Sequence, residues 1–159
     1  MFPELFRKAG YKVSFITNQF LPQAKAAVYD FSGGFFLNNP ELSKAQFDVR
    51  NDKLHVFDED LLTDYDNFVK DGKIKPDGHN LTIFHLIGQH VNYRTRCPRS
   101  QFKFFASDYE DKRPELTPKQ RKVLSYYDNA VQYNDSIVDQ ICKRFENQDA
   151  IVIYMPDHG

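Results

Sequence analysis

Apolar and polar positions along the chain fall into blocks that predict helices and strands in turn. Residues 2–9 have the pattern of a short helix that ends at Gly10, and the alternating residues 11–17 predict a strand. Residues 58–73 predict a helix with acidic side chains in its first turn, as the helix dipole favours. Residues 81–88 are apolar enough for a buried strand.

The strongest helix pattern covers residues 117–148, where Thr117 is a good N-cap and Pro118 fits the first helical position. After it, residues 150–156 predict a fully buried closing strand. The helix carries a broad apolar stripe. Its members are Val123, Tyr126, Tyr127, Val131, Ile137, Val138 and Ile141.

Two segments have weaker patterns. Within residues 20–57, residues 24–31 are compatible with a helix and residues 33–39 with a turn and a short strand, and we expect the rest to be loop. Residues 91–116 are polar, aromatic and interrupted by prolines, which predicts a long surface loop.

Helices and strands that alternate in this way predict an α/β fold, a three-layer α/β/α sandwich with a mostly parallel sheet. Ligands of such sheets gather beyond the carboxyl ends of the strands. Three polar clusters follow predicted strands: Asn18-Gln19, the histidines His85 and His90, and Asp157-His158. These clusters are the candidate functional residues.

Composition narrows the choice of function without identifying one. The 159 residues suit a single domain, and their net charge of -1 argues against a nucleic-acid partner, which requires a basic surface. No stretch approaches the roughly 18–20 apolar residues of a membrane span, and no signal peptide is visible. Cys97 and Cys142 are compatible with two free thiols or with one disulfide.

Asp157 and His158 stand side by side where the last predicted strand ends. A carboxylate and an imidazole are both good zinc ligands, and a bound divalent ion activates a water or a hydroxyl. Both side chains reach one ion only where the strand has ended, and Pro156 and Gly159 favour that break. The alternative is an ordinary solvated turn.

The segment "FHLIGQH" offers His85 within a strand and His90 beyond Gly88, which can turn the chain. Their spacing is not a standard metal-ligand spacing, so two structural histidines are the alternative. We expect His55 and His79, in polar loops, to face solvent.

The basic segment "YRTRCPR" has two interpretations, an anionic headgroup site or solvated loop charges. Its Cys97, Pro98 and Arg99 fail the spacing of the sulfatase motif C-x-P-x-R.

Four segments in this order resemble one family: "AGYKVSFITNQ", "LTIFHLIGQHVNYRTRCP", "YYDNAVQYNDSIVDQI" and "IVIYMPDHG". Together they are similar to the catalytic domain of bacterial phosphoethanolamine transferases, in the sulfatase and alkaline-phosphatase-like superfamily. The resemblance extends over most of the chain and is weakest at residues 20–57.

The resemblance implies a role for each matched residue. Asp157 and His158 would bind the catalytic Zn²⁺. His90 would hold the substrate phosphate or a second zinc ion, with His85 in a supporting role. Asn18 and Gln19 would lie near the site.

The implied reaction moves phosphoethanolamine from phosphatidylethanolamine to lipid A or another cell-envelope glycan, through a zinc-activated threonine. The parent protein would lie in the bacterial inner membrane, with its catalytic domain in the periplasm. Thr17, Thr82 and Thr117 do not stand in the family's nucleophile motif.

We therefore expect residues 1–159 to be a partial catalytic domain, with the membrane region and nucleophile upstream and further metal ligands downstream. On its own this chain would be inactive. Two alternatives stay open: a sulfatase or phosphodiesterase of the same superfamily, and a non-catalytic α/β binding module.

Overall fold

The computed structural model describes residues 2–19 and 40–156. The helix predicted at 24–31, the turn and strand predicted at 33–39, and the pair Asp157-His158 lie outside the described residues. The chain divides into two compact units, Met1–Leu86 and Ile87–Gly159.

The first unit alternates helices with strands, as predicted. Its elements are α1 (Phe2–Lys8), β1 (Lys12–Thr17), α2 (Pro40–Gln46), β2 (Val49–Arg50), α3 (Glu59–Lys70) and β3 (Asn80–His85). Gly10 stands between α1 and β1 with φ +90°, a left-handed conformation that glycine adopts readily, so the predicted helix stop is confirmed. The loop predicted for residues 40–57 is wrong in part, because α2 and β2 lie there. Both elements are too short for their apolar residues to show a helical or strand period.

The three strands form one parallel sheet in the order β2-β1-β3. Register pairs run from Lys12↔Asn80 to Thr17↔His85 on one side of β1, and Ser14 pairs with Val49 on the other. The parallel α/β class is thereby confirmed. β3 is half-buried throughout rather than fully buried as predicted, because it is an edge strand among those described.

Apolar side chains cover both faces of the sheet. Phe15 stacks on Phe47, which follows α2, with ring centroids 4.6 Å apart. On the opposite face, Phe84 of β3 meets Tyr65 of α3 at 5.5 Å. Because neighbouring strand residues point to opposite faces, α2 and α3 contribute to opposite layers. The first unit therefore has the predicted layered arrangement.

The second unit is built on one long helix, α4 (Pro118–Phe145). Thr117 accepts a hydrogen bond from the Gln120 backbone N–H, the Gln120 side chain reaches back, and Pro118 is in the first turn, so the predicted N-terminus is confirmed. The predicted loop before it contains three short 3₁₀ helices, Tyr93–Thr95, Arg99–Gln101 and Ala106–Tyr109.

The apolar stripe predicted for α4 is only half right. Ile137 and Ile141 are buried, whereas Val123, Tyr127 and Val131 are exposed. The buried face includes small and amide side chains, which an apolar pattern cannot mark. They are Ser125, Asn129, Ala130 and Asn134.

The prediction of a buried closing strand is wrong. Residues 150–156 have no regular secondary structure, and Ile151 and Ile153 are 91% and 78% exposed. A strand needs a hydrogen-bonded neighbour, and every strand among the described residues belongs to the first unit.

Cys97, which is buried, and Cys142, which is exposed, are free thiols. Within residues 2–19 and 40–156, no helix is long and apolar enough to cross a membrane.

Candidate functional site

The carboxyl ends of β1 and β3 bring predicted site residues together. The fully buried Thr17 hydroxyl lies 3.0 Å from His85 Nδ1, and the same oxygen accepts the Gln19 backbone N–H. Gln19 Nε2 donates to the Leu86 carbonyl at 2.9 Å. The His85 ring is therefore held at the strand ends by the Thr17 hydroxyl, and Gln19 holds the backbone of the next residue.

Asn18 joins the end of β1 to the start of α3. Its Nδ2 donates to Asp58 Oδ1 at 2.9 Å, and its Oδ1 accepts the His55 backbone N–H at 2.7 Å. Asp58 immediately precedes α3 but makes no side-chain capping hydrogen bond there. Asn18 and Asp58 are both buried, so this pair fixes the loop that crosses the strand ends.

Asn51 continues the pairing of β1 with β2 by means of its side chain. Its Oδ1 accepts the Thr17 N–H at 2.9 Å, and its Nδ2 donates to the Thr17 carbonyl at 2.7 Å. A buried amide that satisfies both backbone groups of Thr17 replaces a missing strand residue. These two hydrogen bonds hold the end of β1 beside the residue that follows β2.

The prediction that His55 faces solvent is wrong. Its side chain is largely buried, its Nε2 donates to Asp64 Oδ2 at 2.7 Å, and Asp60 lies 3.7 Å from Nδ1. Both acids lie in the first two turns of α3, which follows His55 directly along the chain. His79 is exposed as predicted and meets the Tyr11 ring edge-on.

Arg50 places a positive charge at the end of β2. Its guanidinium lies 5.1 Å from the Phe15 ring centroid and 5.5 Å from that of Phe47, and Nη1 donates to Ser43 Oγ at 2.7 Å. Burial lowers the pKa of Arg50 to about 10. The side chain therefore remains charged at neutral pH and supports the aromatic pair by cation–π contact.

His90 lies in the second unit on an exposed loop. Its Nδ1 is 2.6 Å from the Val91 carbonyl oxygen. A carbonyl oxygen only accepts, so Nδ1 carries the proton and Nε2 has no hydrogen-bond partner among the described residues. A ring held in this way presents Nε2 to a metal or a substrate oxygen.

Gly88 begins that loop with φ +54°. A Cβ at this position would lie 3.3 Å from Asn134 Oδ1 of α4, so both conformation and space favour glycine. The predicted turn at Gly88 is confirmed.

The "YDN" segment of α4 holds the loop in front of the helix. The fully buried Asn129 accepts the N–H groups of Lys103 and Phe104 and donates to the Phe104 carbonyl. The preceding Asp128 accepts the Tyr109 hydroxyl, and burial followed by this bond raises the pKa of Tyr109. The motif that carried the family resemblance thus has a structural role here.

No group of three or more histidine, cysteine, aspartate or glutamate side chains suits a metal ion within residues 2–19 and 40–156. Asp157 and His158 remain predictions because they lie outside that part of the chain. Of the predicted residues, the structure brings His85, Asn18 and Gln19 together at the ends of β1 and β3, while His90 belongs to the second unit. Thr17, which was not predicted as a site residue, contacts His85 there.

Sequence reasoning missed Asn51 and Asp58 in this setting. Asn51 follows β2, and Asp58 precedes α3. Buried polar side chains at such positions often pair with backbone or side-chain groups at the ends of strands and helices, but nothing in the sequence shows which groups these are.

A model of the Sulfatase family matches residues 1–159. Phosphoethanolamine transferase EptC of Escherichia coli O18:K1:H7 (strain RS218 / NMEC) is 29% identical over 98% of the chain. Kdo(2)-lipid A phosphoethanolamine 7''-transferase of Escherichia coli K12 is 33% identical over 53% of the chain. Phosphoethanolamine transferase EptA of Helicobacter pylori is 32% identical over 65%. The chain spans 26%, 14% and 19% of their respective lengths.

Solved structures of the C-terminal periplasmic domain of EptC from Escherichia coli share the fold. One matches 91% of this chain and 37% of that one, with a TM-score of 0.65 and 26% identity. A complex of the same domain with Zn matches 90% of this chain and 38% of that one, with a TM-score of 0.66 and 27% identity.

Proposed function

The chain belongs to the sulfatase family, and from that premise we propose that it is part of a zinc-dependent phosphoethanolamine transferase. The donor would be phosphatidylethanolamine, and the acceptor would be lipid A or another cell-envelope glycan. The match over 98% of the chain to a phosphoethanolamine transferase carries this proposal. A relative named for Kdo(2)-lipid A and a related domain solved with Zn support the acceptor and the metal.

We propose further that residues 1–159 are one part of the catalytic domain, since the chain spans only 26% of the length of its EptC relative. The domain would face the periplasm, like the periplasmic domain of EptC that shares its fold, and a membrane region elsewhere in the protein would hold it near its lipid donor.

Asp157 and His158 would hold the zinc ion, whose chemistry is to lower the pKa of a bound hydroxyl and to stabilise phosphoryl charge. His90 suits a role beside them, because Nδ1–H is committed to the Val91 carbonyl. In the neutral ring, the Nε2 lone pair can bind a second metal ion. In the protonated ring, Nε2–H can donate to a phosphoryl oxygen of the substrate.

His85 would support the site from the strand ends. Its Nδ1 is engaged with the Thr17 hydroxyl, and Asn18 and Gln19 fix the segments on either side. These contacts would orient the ring for that supporting role.

We propose that the nucleophile of the reaction is none of Thr17, Thr82 and Thr117, because none of them stands in the family's nucleophile motif. The Thr17 hydroxyl is fully buried and bonded to His85 and Gln19, and Thr117 caps α4. We therefore expect the 159-residue chain on its own to transfer no phosphoethanolamine.

The test uses the protein with the flanking segments encoded beside these residues, purified in detergent. Zinc per protein would be measured by mass spectrometry, and transfer from phosphatidylethanolamine by the mass gain of lipid A. We expect about one or two zinc ions per protein, with loss of metal and transfer in Asp157→Ala.

His90→Ala should reduce transfer strongly, because the phosphoryl oxygens lose a partner. His79→Ala is the matched control, since His79 is exposed and its ring lies against the Tyr11 ring. A protein without zinc, or one in which Asp157→Ala keeps full zinc and transfer, would rule out the proposal. Release of free phosphoethanolamine without an acceptor would instead indicate a hydrolase.

A further inference from the structure

We propose that Arg96 is a positioning residue for His90. Its guanidinium clamps the backbone of the His90 loop and so fixes which nitrogen of the imidazole carries the proton. The value of this arrangement to catalysis rests on the function proposed above, but the arrangement itself can be tested without substrate or metal.

Two donors of Arg96 reach back to the histidine loop. Nε donates to the His90 carbonyl at 2.8 Å, and Nη2 donates to the Val91 carbonyl at 3.2 Å. The position of Arg96 is set by the 3₁₀ turn before it, because its backbone N–H donates to the Tyr93 carbonyl at 3.1 Å. The side chain therefore closes a ring of contacts over the loop.

The Val91 carbonyl is the centre of that ring. It accepts both Arg96 Nη2–H and His90 Nδ1–H, at 3.2 and 2.6 Å. The guanidinium thus holds in place the acceptor that selects the Nδ1–H tautomer of His90. Without Arg96, the exposed peptide at Val91 would be free to rotate, and the imidazole would lose its partner.

Geometry explains why arginine is needed at this position. Two neighbouring carbonyls require two donors held at a fixed separation, which the planar guanidinium supplies. A lysine ammonium at the same place could satisfy one carbonyl well but not fix both.

The same contacts divide the basic segment into two kinds of residue. Arg94 and Arg99 make no side-chain hydrogen bond or ion pair among the described residues, whereas Arg96 donates from Nε and Nη2 to the His90 and Val91 carbonyls. Arg94 and Arg99 therefore have all their side-chain donors available to an anion, whereas two donors of Arg96 hold the His90 loop.

The test is a nuclear magnetic resonance measurement on the 159-residue chain labelled with ¹⁵N-histidine. Long-range ¹H–¹⁵N spectra distinguish a protonated ring nitrogen from one with a lone pair. At about pH 8.5 an ordinary imidazole is neutral, so the spectrum reports the tautomer. The His90 signals would be assigned by their loss in His90→Ala.

We expect wild-type His90 to show Nδ1–H and an Nε2 lone pair. In Arg96→Ala the signals should move toward those of free histidine, which favours Nε2–H. Arg96→Lys should restore the wild-type pattern only in part. Arg94→Ala, two residues away, is the matched control and should leave the spectrum unchanged.

An Nε2–H signal in the wild-type protein would overturn the proposal. So would an unchanged Nδ1–H pattern in Arg96→Ala, or the same loss in Arg94→Ala. Circular dichroism checks the fold of each variant. If Arg96→Ala unfolds, Arg96→Gln and Arg96→Lys decide the matter, since an unchanged His90 pattern in both would refute the clamp. None of these outcomes depends on zinc binding or transfer, so failure of the proposed function is recorded separately.

Discussion

Replacement of Asn129 by alanine should release the loop at residues 102–105 from α4. Asn129 is fully buried, and three of its hydrogen bonds tie that loop down. They are the bonds from Lys103 N–H at 2.7 Å and Phe104 N–H at 3.1 Å, and the bond to the Phe104 carbonyl at 2.7 Å.

The size of the effect follows from that count. At about 1 kcal/mol for each bond, alanine costs the loop about 3 kcal/mol, or roughly a hundredfold in its opening equilibrium. Alanine also has a better helix propensity than asparagine by roughly 0.5 kcal/mol, which offsets part of the loss in the overall stability of α4. The local effect should therefore exceed the global one.

Amide hydrogen exchange measures that local effect. In Asn129→Ala the protection of the Lys103 and Phe104 amides should fall roughly a hundredfold, while the amides in the middle of α4 change less. Asn147→Ala, at an exposed asparagine beyond the helix, is the control and should change neither set. Equal protection of the Lys103 amide in Asn129→Ala and in the unaltered chain would refute the claim that Asn129 holds this loop.

Three further predictions concern separate regions. Thr17→Val should destabilise the chain to urea by about 1–2 kcal/mol, because the Gln19 N–H and His85 lose their common partner, whereas Thr17→Ser should lose less. The raised pKa of Tyr109 means that its stabilising contribution is present below about pH 10 and is lost as the pH rises above it, so urea midpoints should fall less steeply in Tyr109→Phe. Lysine in place of Ile151, which is exposed, should reduce self-association in light scattering without lowering the melting temperature.

Each of these has its own control. A loss in Thr17→Ser as large as that in Thr17→Val would assign the effect to packing rather than to the hydroxyl. Tyr154→Phe, at an exposed tyrosine, should leave the alkaline profile of the chain unchanged, and a parallel change in it would weaken the assignment to Tyr109. Val56→Lys, at an exposed valine of the first unit, should not alter self-association, and an equal effect there would point to net charge alone.

The sequence predicted those features that depend on local chemistry. The stop at Gly10 follows from the φ that only glycine adopts readily, and the start of α4 follows from Thr117, Pro118 and Gln120. The parallel sheet followed from the alternation of helices and strands. His85 was placed at a strand end because its strand could be recognised.

Features that depend on distant partners could not be predicted in the same way. His55 looked like a loop residue because Asp64, its partner, lies on the following helix. The buried face of α4 contains Asn129 and Asn134, which hydrophobicity cannot distinguish from exposed amides. Residues 150–156 have the composition of a strand, but a strand forms only where a neighbour offers its backbone.

The order of the sheet has a consequence for how the chain folds. β1 is the central strand yet precedes both neighbours along the chain, and its Thr17 meets Asn51 and His85 across separations of 34 and 68 residues. Contacts so distant in sequence close slowly because loop entropy must be lost first. During synthesis, the apolar side chains of Val13 and Ile16 therefore emerge long before β3 is available, so this strand is open to aggregation until its neighbour has been made.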